Sequence, residues 1–514
     1  MNMTDQEAKR IVHRFASLCN ISDPEHSFID KAGETFLAIY VSSINPIYTK
    51  NLALIKDELD PDSDFKGRVF LKKKSPANWL SSIECQLLQS LLSESLTIGK
   101  STLDSDFHME VIPFVGGVER QILNKANHIV FGRRGAGKST LLLRAATRSR
   151  REGINFAWIT MQQYQGRKDL LVIPQVLYEL TEALSEIHDF DPSAVKQMRS
   201  YILKLEEKGV DQSLDDIKVL LPTFARPFLA FVRSKGPFFI LIDDLHLLHP
   251  SIQPLVLSTL YSFARGNNIY LKITSIENLT NLYNELQQEG LQTPGDAQVI
   301  RLDYNLVNPE AAFKHIDRIL NSFIKYVGIP SLSTIIYRRE VLERLVWACA
   351  GVPRDALYIF NNAIAKALAE KRKAVAITDV NMAAAESMIE KEHNLSDDVE
   401  DTQNDVLRVI EDIKKFCLRE ARSNAFQVRI DNDSPKFRMI QKVSDLRFIH
   451  ILHPGITPER AGEKYEVYLL DYAFYTGFRK APSVREIVPT LRLPLAKELR
   501  KLERYPYEER IVLS

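Results

Sequence analysis

Short apolar runs alternate with helical patterns of apolar residues through the middle of the chain, between residues 110 and 305. The runs predict five strands, at 128–131, 155–160, 238–242, 269–274 and 298–302. The run at 238–242 is apolar at every position, as expected for a strand buried on both faces of a sheet. Strands that alternate with helices indicate a parallel sheet with crossover helices, so we predict an α/β fold here.

The regions on either side of this sheet have mainly helical patterns. Residues 1–105 contain amphipathic helical patterns near 11–19 and 80–91, and an apolar run at 36–41 that fits either a strand or a helix. Residues 306–392 read as a helical region, with helices predicted at 310–323, 341–350, 355–371 and 378–389.

A polar, acidic stretch at 393–404 predicts a linker to the last part of the chain. In residues 405–514, two strand patterns at 447–453 and 465–472 flank a loop that contains Gly and Pro. This arrangement predicts a hairpin with a long wing.

Composition changes this picture little. The chain has 67 Lys and Arg against 66 Asp and Glu, a net charge of +1, so its overall charge indicates neither nucleic acid nor membrane as a partner. Its four cysteines form no C-x-x-C pair, which argues against a disulfide framework and a zinc site. The N-terminus lacks a signal-peptide pattern, and no apolar run approaches the ~18 residues of a membrane span. We therefore expect a soluble cytoplasmic protein with no membrane partner.

The first predicted strand leads directly into a phosphate-loop motif, G-x-x-x-x-G-K-[ST], followed by an apolar helix. Glycines in such a loop let backbone N–H groups point at phosphate oxygens, and the helix N-terminus adds partial positive charge. We expect ATP and Mg²⁺ as cofactors, with the lysine at the β- and γ-phosphates and the serine on Mg²⁺. The motif residues are Gly132, Arg133, Arg134, Gly135, Ala136, Gly137, Lys138, Ser139 and Thr140.

Polar side chains end two further predicted strands. Asp243 is predicted to hold the Mg²⁺ shell and Asp244 to orient or activate the attacking water, although two acids after a strand also occur in a plain turn. The next predicted strand ends in two hydroxyls, Thr274 and Ser275, one of which is expected to contact the γ-phosphate or the attacking water. Ser275 is the catalytic candidate, and ordinary strand-end residues are the alternative. His246 and His249 are interpreted as structural histidines, since a metal site needs more ligands.

These elements, in this order, resemble the AAA+ superfamily, closest to its initiator (origin-recognition, ORC/CDC6-like) branch and the related STAND ATPases. Residues 113–119 look like the segment whose backbone receives the adenine, which implies a role for Val115. Residues 350–357 resemble the second sensor of the helical lid, which implies that Arg354 contacts the γ-phosphate and that Pro353 lies against the nucleotide. Residues 377–383 resemble the closing helix of the lid.

The resemblance implies a P-loop core at 106–305 and a helical lid at 306–392. A mainly helical N-terminal unit at 1–105 and a winged-helix-like domain at 405–514 flank them. Three departures stand out: Gly117 replaces a usual arginine, Asp244 replaces the initiators' glutamate, and 276–300 contains no Arg or Lys. The family's arginine finger normally lies in that stretch. Arg265 or Arg301 is the candidate substitute, and no motif supports either, so we expect slow or partner-activated ATPase activity.

We therefore expect an ATP/ADP-dependent switch in replication-initiation-like, antiviral-defence or mobile-element processes. We expect residues 405–514 to bind DNA and the N-terminal unit to bind partner proteins. The chain is also a candidate for homo-oligomer formation. Residues 405–514 have 21 Lys and Arg against 16 Asp and Glu, and 436–446 is the candidate recognition helix. The alternatives are a scaffold with little ATPase activity, a processive motor, a small-molecule kinase, and a wing that docks a partner protein or the chain's own ATPase domain.

Overall fold

The structure is a computed structural model. It describes residues 3–31, 33–103, 118–207, 213–302, 305–393, 403–457, 463–476 and 495–512. The predicted linker lies largely outside these residues, as does the predicted adenine segment with Val115.

A five-stranded parallel sheet forms the centre of the molecule, as the alternating pattern predicted. Its strand order is β10-β4-β7-β6-β5, and every neighbouring pair is parallel. The predicted strands are all present, within one residue at either end. Their bounds are β4 His128–Phe131, β5 Asn155–Thr160, β6 Phe238–Asp243, β7 Ile269–Ser275 and β10 Gln298–Arg301.

Helices connect these strands and cover both faces of the sheet. A capping box between Ser213 and Asp216 starts the longest of them, and Gly236 ends it with a positive φ. The small hairpin β8 Tyr283–Asn284 with β9 Glu289–Gly290 precedes the last strand. The helices are α4 Val118–Ile122, α5 Lys138–Arg151, α6 Val172–Ser185, α7 Pro192–Glu206, α8 Leu214–Lys235 and α9 Gln253–Ala264.

The N-terminal unit, residues 3–103, contains a three-stranded sheet that the helical patterns did not indicate. The ambiguous run at 36–41 is part of its central strand, which is antiparallel to one neighbour and parallel to the other. The elements are α1 Met3–Cys19, β1 His26–Lys31, β2 Glu34–Val41, α2 Pro46–Glu58, β3 Val69–Lys73 and α3 Ile83–Glu94.

Four helices form the lid, close to their predicted positions. The side-chain oxygen of Asn308 accepts from the N–H of Ala311 at the start of the first of them, and Gly328 ends that helix in a left-handed conformation. The helices are α10 Pro309–Val327, α11 Arg339–Ala348, α12 Pro353–Ala369 and α13 Ile377–His393.

The C-terminal unit, residues 403–512, has an antiparallel sheet of order β11-β13-β12. The predicted hairpin is the β12–β13 pair, and the candidate recognition helix is α15, which is the single helix described between β11 and β12. The elements are α14 Gln403–Lys415, a π-helical turn Phe416–Glu420, β11 Ala425–Arg429, α15 Pro435–Asp445, β12 Ile449–Ile456, β13 Tyr465–Leu470, α16 Ala496–Leu499 and α17 Tyr507–Arg510.

Two large hydrophobic cores hold these parts together. One core lies between the sheet and helices α6 to α9. The other is continuous through the N-terminal unit, the lid and the C-terminal unit, and includes Phe15, Phe323 and Phe426. Within the described part of the chain, every helix is too short or too polar to cross a membrane.

Candidate functional site

The phosphate loop joins the end of β4 to the start of α5. Gly135 and Gly137 have φ of 79° and 95°. This left-handed conformation is unfavourable for any residue that has a Cβ atom, so glycine suits both positions. Helix α5 begins at Lys138, directly after Gly137. The N–H groups of its first turn therefore face the same space as the loop backbone, which is the geometry of an anion site.

Lys138 lies inside this loop. Its side chain is 6% exposed, and its Nζ donates to the carbonyl oxygens of Gly132, at 3.0 Å, and Arg133, at 3.3 Å. The loop carbonyls thus hold the ammonium group close to where phosphate oxygens would lie.

Asp243 ends β6 beside the loop. Its Oδ1 accepts hydrogen bonds from Ser139 Oγ at 3.2 Å and from Thr274 Oγ1 at 2.6 Å. Burial, followed by the neighbouring Asp244, raises the pKa of the Asp243 carboxyl to about 7. A cation at this position would relieve that cost, and the carboxylate and hydroxyl oxygens are the ligand types that Mg²⁺ takes.

The described residues contain no cluster of three or more His, Cys, Asp or Glu side chains able to hold a metal ion. Mg²⁺ at Ser139 and Asp243 would therefore complete its coordination with phosphate oxygens and water, as it commonly does at nucleotide sites.

Asp244 has a positive φ of 56°, and its N–H donates to Thr274 Oγ1 at 3.0 Å. This turn directs its side chain into the cavity, where its Oδ1 lies 3.9 Å from Nδ1 of His246. Burial, the largest influence, lowers the pKa of His246 to about 3, so the ring is neutral at pH 7. The sequence interpretation treated His246 as structural; the structure places it at the cavity.

The structure does not bring Ser275 to the cavity. Its Oγ lies 2.5 Å from Thr280 Oγ1, and Ser275 is not among the residues that line the cavity. Successive side chains of a strand point to opposite faces, so only one of the two hydroxyls can face the carboxylate. Of the two, Thr274 is the residue whose hydroxyl contacts the Asp243 carboxylate.

The lid contacts the loop directly. The N–H of Arg354 donates to Gly135 O at 3.2 Å, and a Cβ added at Gly135 would lie 2.7 Å from Cβ of Arg354. Burial, then Arg447 and Arg134, lower the pKa of Arg354 below its ordinary value. Arg133 points away from the cavity, and its Nη2 donates to the lid carbonyl of Ala350 at 3.2 Å.

Sheet, lid and N-terminal unit enclose a cavity of about 310 Å³. Arg134, Lys138 and Arg354 line its phosphate-loop end together with Asp244, and Pro353, the first residue of α12, lines it from the lid. The remaining wall is largely one that the sequence interpretation missed, and it is made of Ser95, Leu96, Thr97, Ile98, Gln162, Gln165, His246, Leu247, His315, Ile319 and Leu357.

The cavity therefore has a cationic end and a partly apolar end. The cationic end suits phosphates, whereas Leu96, Ile98 and Ile319 offer apolar surface for a flat ring. Neither proposed substitute finger lines the cavity. Arg301 pairs with Glu277 at 3.0 Å, and Arg265 lies beside Asn127 at the opposite end of the sheet.

A family model described as ORC-CDC6-like matches residues 181–344. The match begins within α6 and ends within α11, so it includes Asp243 and Asp244 but starts after the phosphate loop. No curated protein is significantly similar to the chain in sequence.

Solved structures of initiator proteins are similar at low identity. The ORC1 protein of Aeropyrum pernix in complex with DNA is 14% identical, covers 73% of this chain and 93% of its own, and has a TM-score of 0.38. The ORC2 protein of Aeropyrum pernix, with ADPNP and ADP, is 12% identical, covers 73% of this chain and 94% of its own, and has a TM-score of 0.36. Drosophila ORC bound to DNA is 14% identical, covers 82% of this chain and 96% of its own, and has a TM-score of 0.33. At these identities and TM-scores the three structures add nothing to the roles of individual residues.

The matched segment covers the acidic end of β6, the later sheet strands and the first lid helices. Over this segment the chain is similar to the ORC-CDC6-like family, and the family resemblance that the motifs predicted is confirmed.

Proposed function

We propose that this chain is an ATP-binding switch that hydrolyses ATP slowly, and whose nucleotide state controls its interactions with DNA and protein partners. The observation that carries this proposal is the meeting of loop and lid on one cavity: Lys138, Asp244 and Arg354 line it together. A ligand that contacts both loop and lid stabilises the arrangement in which they lie together.

The residues that line the cavity, and Asp243 beside it, have distinct proposed tasks. The loop N–H groups and Lys138 bind the β- and γ-phosphates, and Ser139 with Asp243 would hold Mg²⁺, which neutralises phosphate charge when bound. Asp244 orients the attacking water and accepts its proton. Arg134 and Arg354 supply positive charge within one chain, which offers partial compensation for the missing finger.

A nucleotide-binding scaffold without turnover is the competing function, because 276–300 lacks Arg and Lys and Asp244 is shorter than the usual glutamate. Phosphate release by the full chain, measured with ATP and Mg²⁺ in the presence and absence of duplex DNA, separates the two. The switch requires turnover that Asp244→Asn removes. Tight ATP binding with no release above that variant would favour the scaffold.

Arg354→Ala is expected to leave ADP binding nearly intact and to remove the ATP-induced compaction of the chain. The side chain lines the phosphate end of the cavity from the lid, so its charge should act mainly on the γ-phosphate. Small-angle scattering with a non-hydrolysable ATP analogue measures the compaction. Arg339→Ala is the control, because it removes an exposed arginine of the same lid. Compaction that persists in Arg354→Ala would show that another residue closes the lid.

The proposed DNA surface lies beside the hairpin of the C-terminal unit. Lys497, Arg500 and Lys501 are exposed there. The Gln427 side chain of β11 fixes this segment, because its Nε2 donates to the carbonyls of Leu499 and Leu502, both at 2.9 Å. Positive charges held in a fixed register on a sheet edge can contact successive phosphates.

Changing Lys497, Arg500 and Lys501 together to alanine is expected to weaken duplex binding by the full chain. Each lost phosphate contact removes about 0.9 from the salt slope, so the triple variant should lower it by about 3. Fluorescence anisotropy at several salt concentrations measures both effects. A triple alanine variant of Lys72, Lys73 and Lys74, three exposed lysines of the N-terminal unit, is the control. Equal salt slopes for the two triple variants would show that DNA binds another surface of the chain, or that the C-terminal unit docks a protein instead.

A further inference from the structure

A histidine of the C-terminal unit contacts the phosphate loop. Nη1 of Arg133 lies 3.1 Å from Nδ1 of His450, and Nε2 of the same ring lies 2.9 Å from Asp471 Oδ2. A guanidinium group only donates, so Nδ1 must accept and the ring proton must lie on Nε2, facing the carboxylate. His450 is therefore fixed as one neutral tautomer by partners on both sides.

The contact continues into the lid. Lys391 Nζ donates to Asp471 Oδ2 at 2.6 Å and lies 3.5 Å from Asp355 Oδ2, and Arg447 pairs with the same Asp355. Asp355 directly follows Arg354 in α12. We call these six residues the buried network: Arg133, His450, Asp471, Lys391, Asp355 and Arg447.

Because the buried network is shielded from water, the loss of any one of its charged members destabilises the others. Apart from Arg133, no member is more than 8% exposed. Burial alone would raise the pKa of Asp471, but Lys391 and His450 hold it well below its ordinary value. Removing one partner of a buried charge leaves the other uncompensated, which costs more than an exposed pair would. We therefore expect the C-terminal unit to be either fully docked on the phosphate loop and lid or fully separated from them, with no stable arrangement in which the contacts of the buried network are only stretched.

Both ends of the buried network adjoin the cavity. Arg133 belongs to the loop whose backbone surrounds Lys138, and Asp355 is the neighbour of Arg354. A ligand that fixes the loop and Arg354 also fixes the positions of Arg133 and Asp355. Two events that require the same geometry assist each other, and the free energy of that coupling is reciprocal.

We propose that His450 is a positioning residue of the nucleotide site. Through Arg133 it holds the phosphate loop in its binding geometry while the C-terminal unit is docked, so that nucleotide binding and docking of the C-terminal unit stabilise each other. This proposal rests on the proposed function, because it requires that the cavity binds ATP. It adds a second role for the C-terminal unit, namely control of the site that lies in the loop.

A double-mutant cycle in the full chain tests whether His450 acts through Arg133. His450→Phe and Arg133→Ala are each expected to lower ATP affinity about tenfold by calorimetry, and the double variant should be no weaker than the weaker single variant. Coupled residues are non-additive in this way, whereas independent ones multiply their effects. Losses that multiply, or unchanged affinity in His450→Phe while the parent binds ATP, would overturn the inference. A parent that does not bind ATP would instead refute the proposed function.

Two further measurements separate positioning from plain structural support. His450→Gln retains an acceptor for Arg133 and a donor for Asp471, so it should restore affinity to within about threefold of the parent. Hydrogen exchange should show that ATP protects the amides of β12 in the parent and in His450→Gln, but not in His450→Phe. If His450→Phe does not fold, His450→Asn replaces it in the cycle, because its side chain is too short to contact both partners. ATP protection of β12 that is equal in all variants would contradict the coupling.

Discussion

Replacing Lys138 with alanine is expected to abolish ATP binding, with a loss of affinity on the order of 100-fold or more. The structure gives the reason. The ammonium group is held by the carbonyls of Gly132 and Arg133, at 3.0 and 3.3 Å, inside a loop whose N–H groups face the cavity. No other ammonium group lines the described wall of the cavity, and alanine leaves the phosphates without it.

Calorimetric titration with ATP and Mg²⁺ measures this loss. Lys235→Ala is the matched control, because it removes an exposed lysine at the end of α8 in the same core. Its melting temperature and ATP affinity should equal those of the parent. Equal ATP affinity in Lys138→Ala and in the parent would refute the assignment of the whole site.

The two adjacent aspartates are expected to give different defects. Asp244→Asn should leave ATP affinity nearly unchanged and lower the rate of hydrolysis by about 10²- to 10⁴-fold, the usual contribution of a general base. Asparagine adopts the left-handed conformation as readily as aspartate does, so the φ of 56° at this position is no obstacle to the change. Loss of rate without loss of binding would identify the side chain rather than the turn as the cause.

Asp243→Asn should instead weaken the Mg²⁺-dependent part of ATP binding. Its carboxylate is 4% exposed and accepts from both Ser139 and Thr274, so the amide would lose the charge that a cation needs. Titrating Mg²⁺ at fixed ATP, alongside single-turnover hydrolysis, distinguishes the two variants. Identical profiles for Asp243→Asn and Asp244→Asn would contradict the division of tasks.

The sequence predicted those parts of the site whose functional residues lie directly next to the strand or helix that positions them. The phosphate loop is contiguous with its strand and helix, and Asp243 directly follows an apolar run. The choice between Thr274 and Ser275 was not predictable, because a shift of one residue reverses the face of a strand and the apolar pattern of β7 does not fix that phase.

The rest depended on contacts between distant parts of the chain. Residues 95–98 line the cavity because α3 packs on lid helices more than 200 residues later, as the Asn361–Ser93 hydrogen bond shows. Nothing around His450 in sequence indicates its contact with Arg133, 317 positions away. The alternative that the C-terminal unit docks on the chain's own ATPase core is supported by this contact and by Asn278, which donates to Asp445 at the end of α15.

The continuous core through the N-terminal unit, lid and C-terminal unit has a consequence for how the chain comes apart. Segments that share a core lose structure together, whereas segments with separate cores can melt separately. The parts that unfold together are therefore not continuous along the chain. Residues around Phe15, Phe323 and Phe426 should unfold as one group, and the central sheet with α6 to α9 as another. A fragment beginning at residue 405 would expose the apolar faces that it shares with the lid. ATP, bound between the two units, would raise the melting temperature of both.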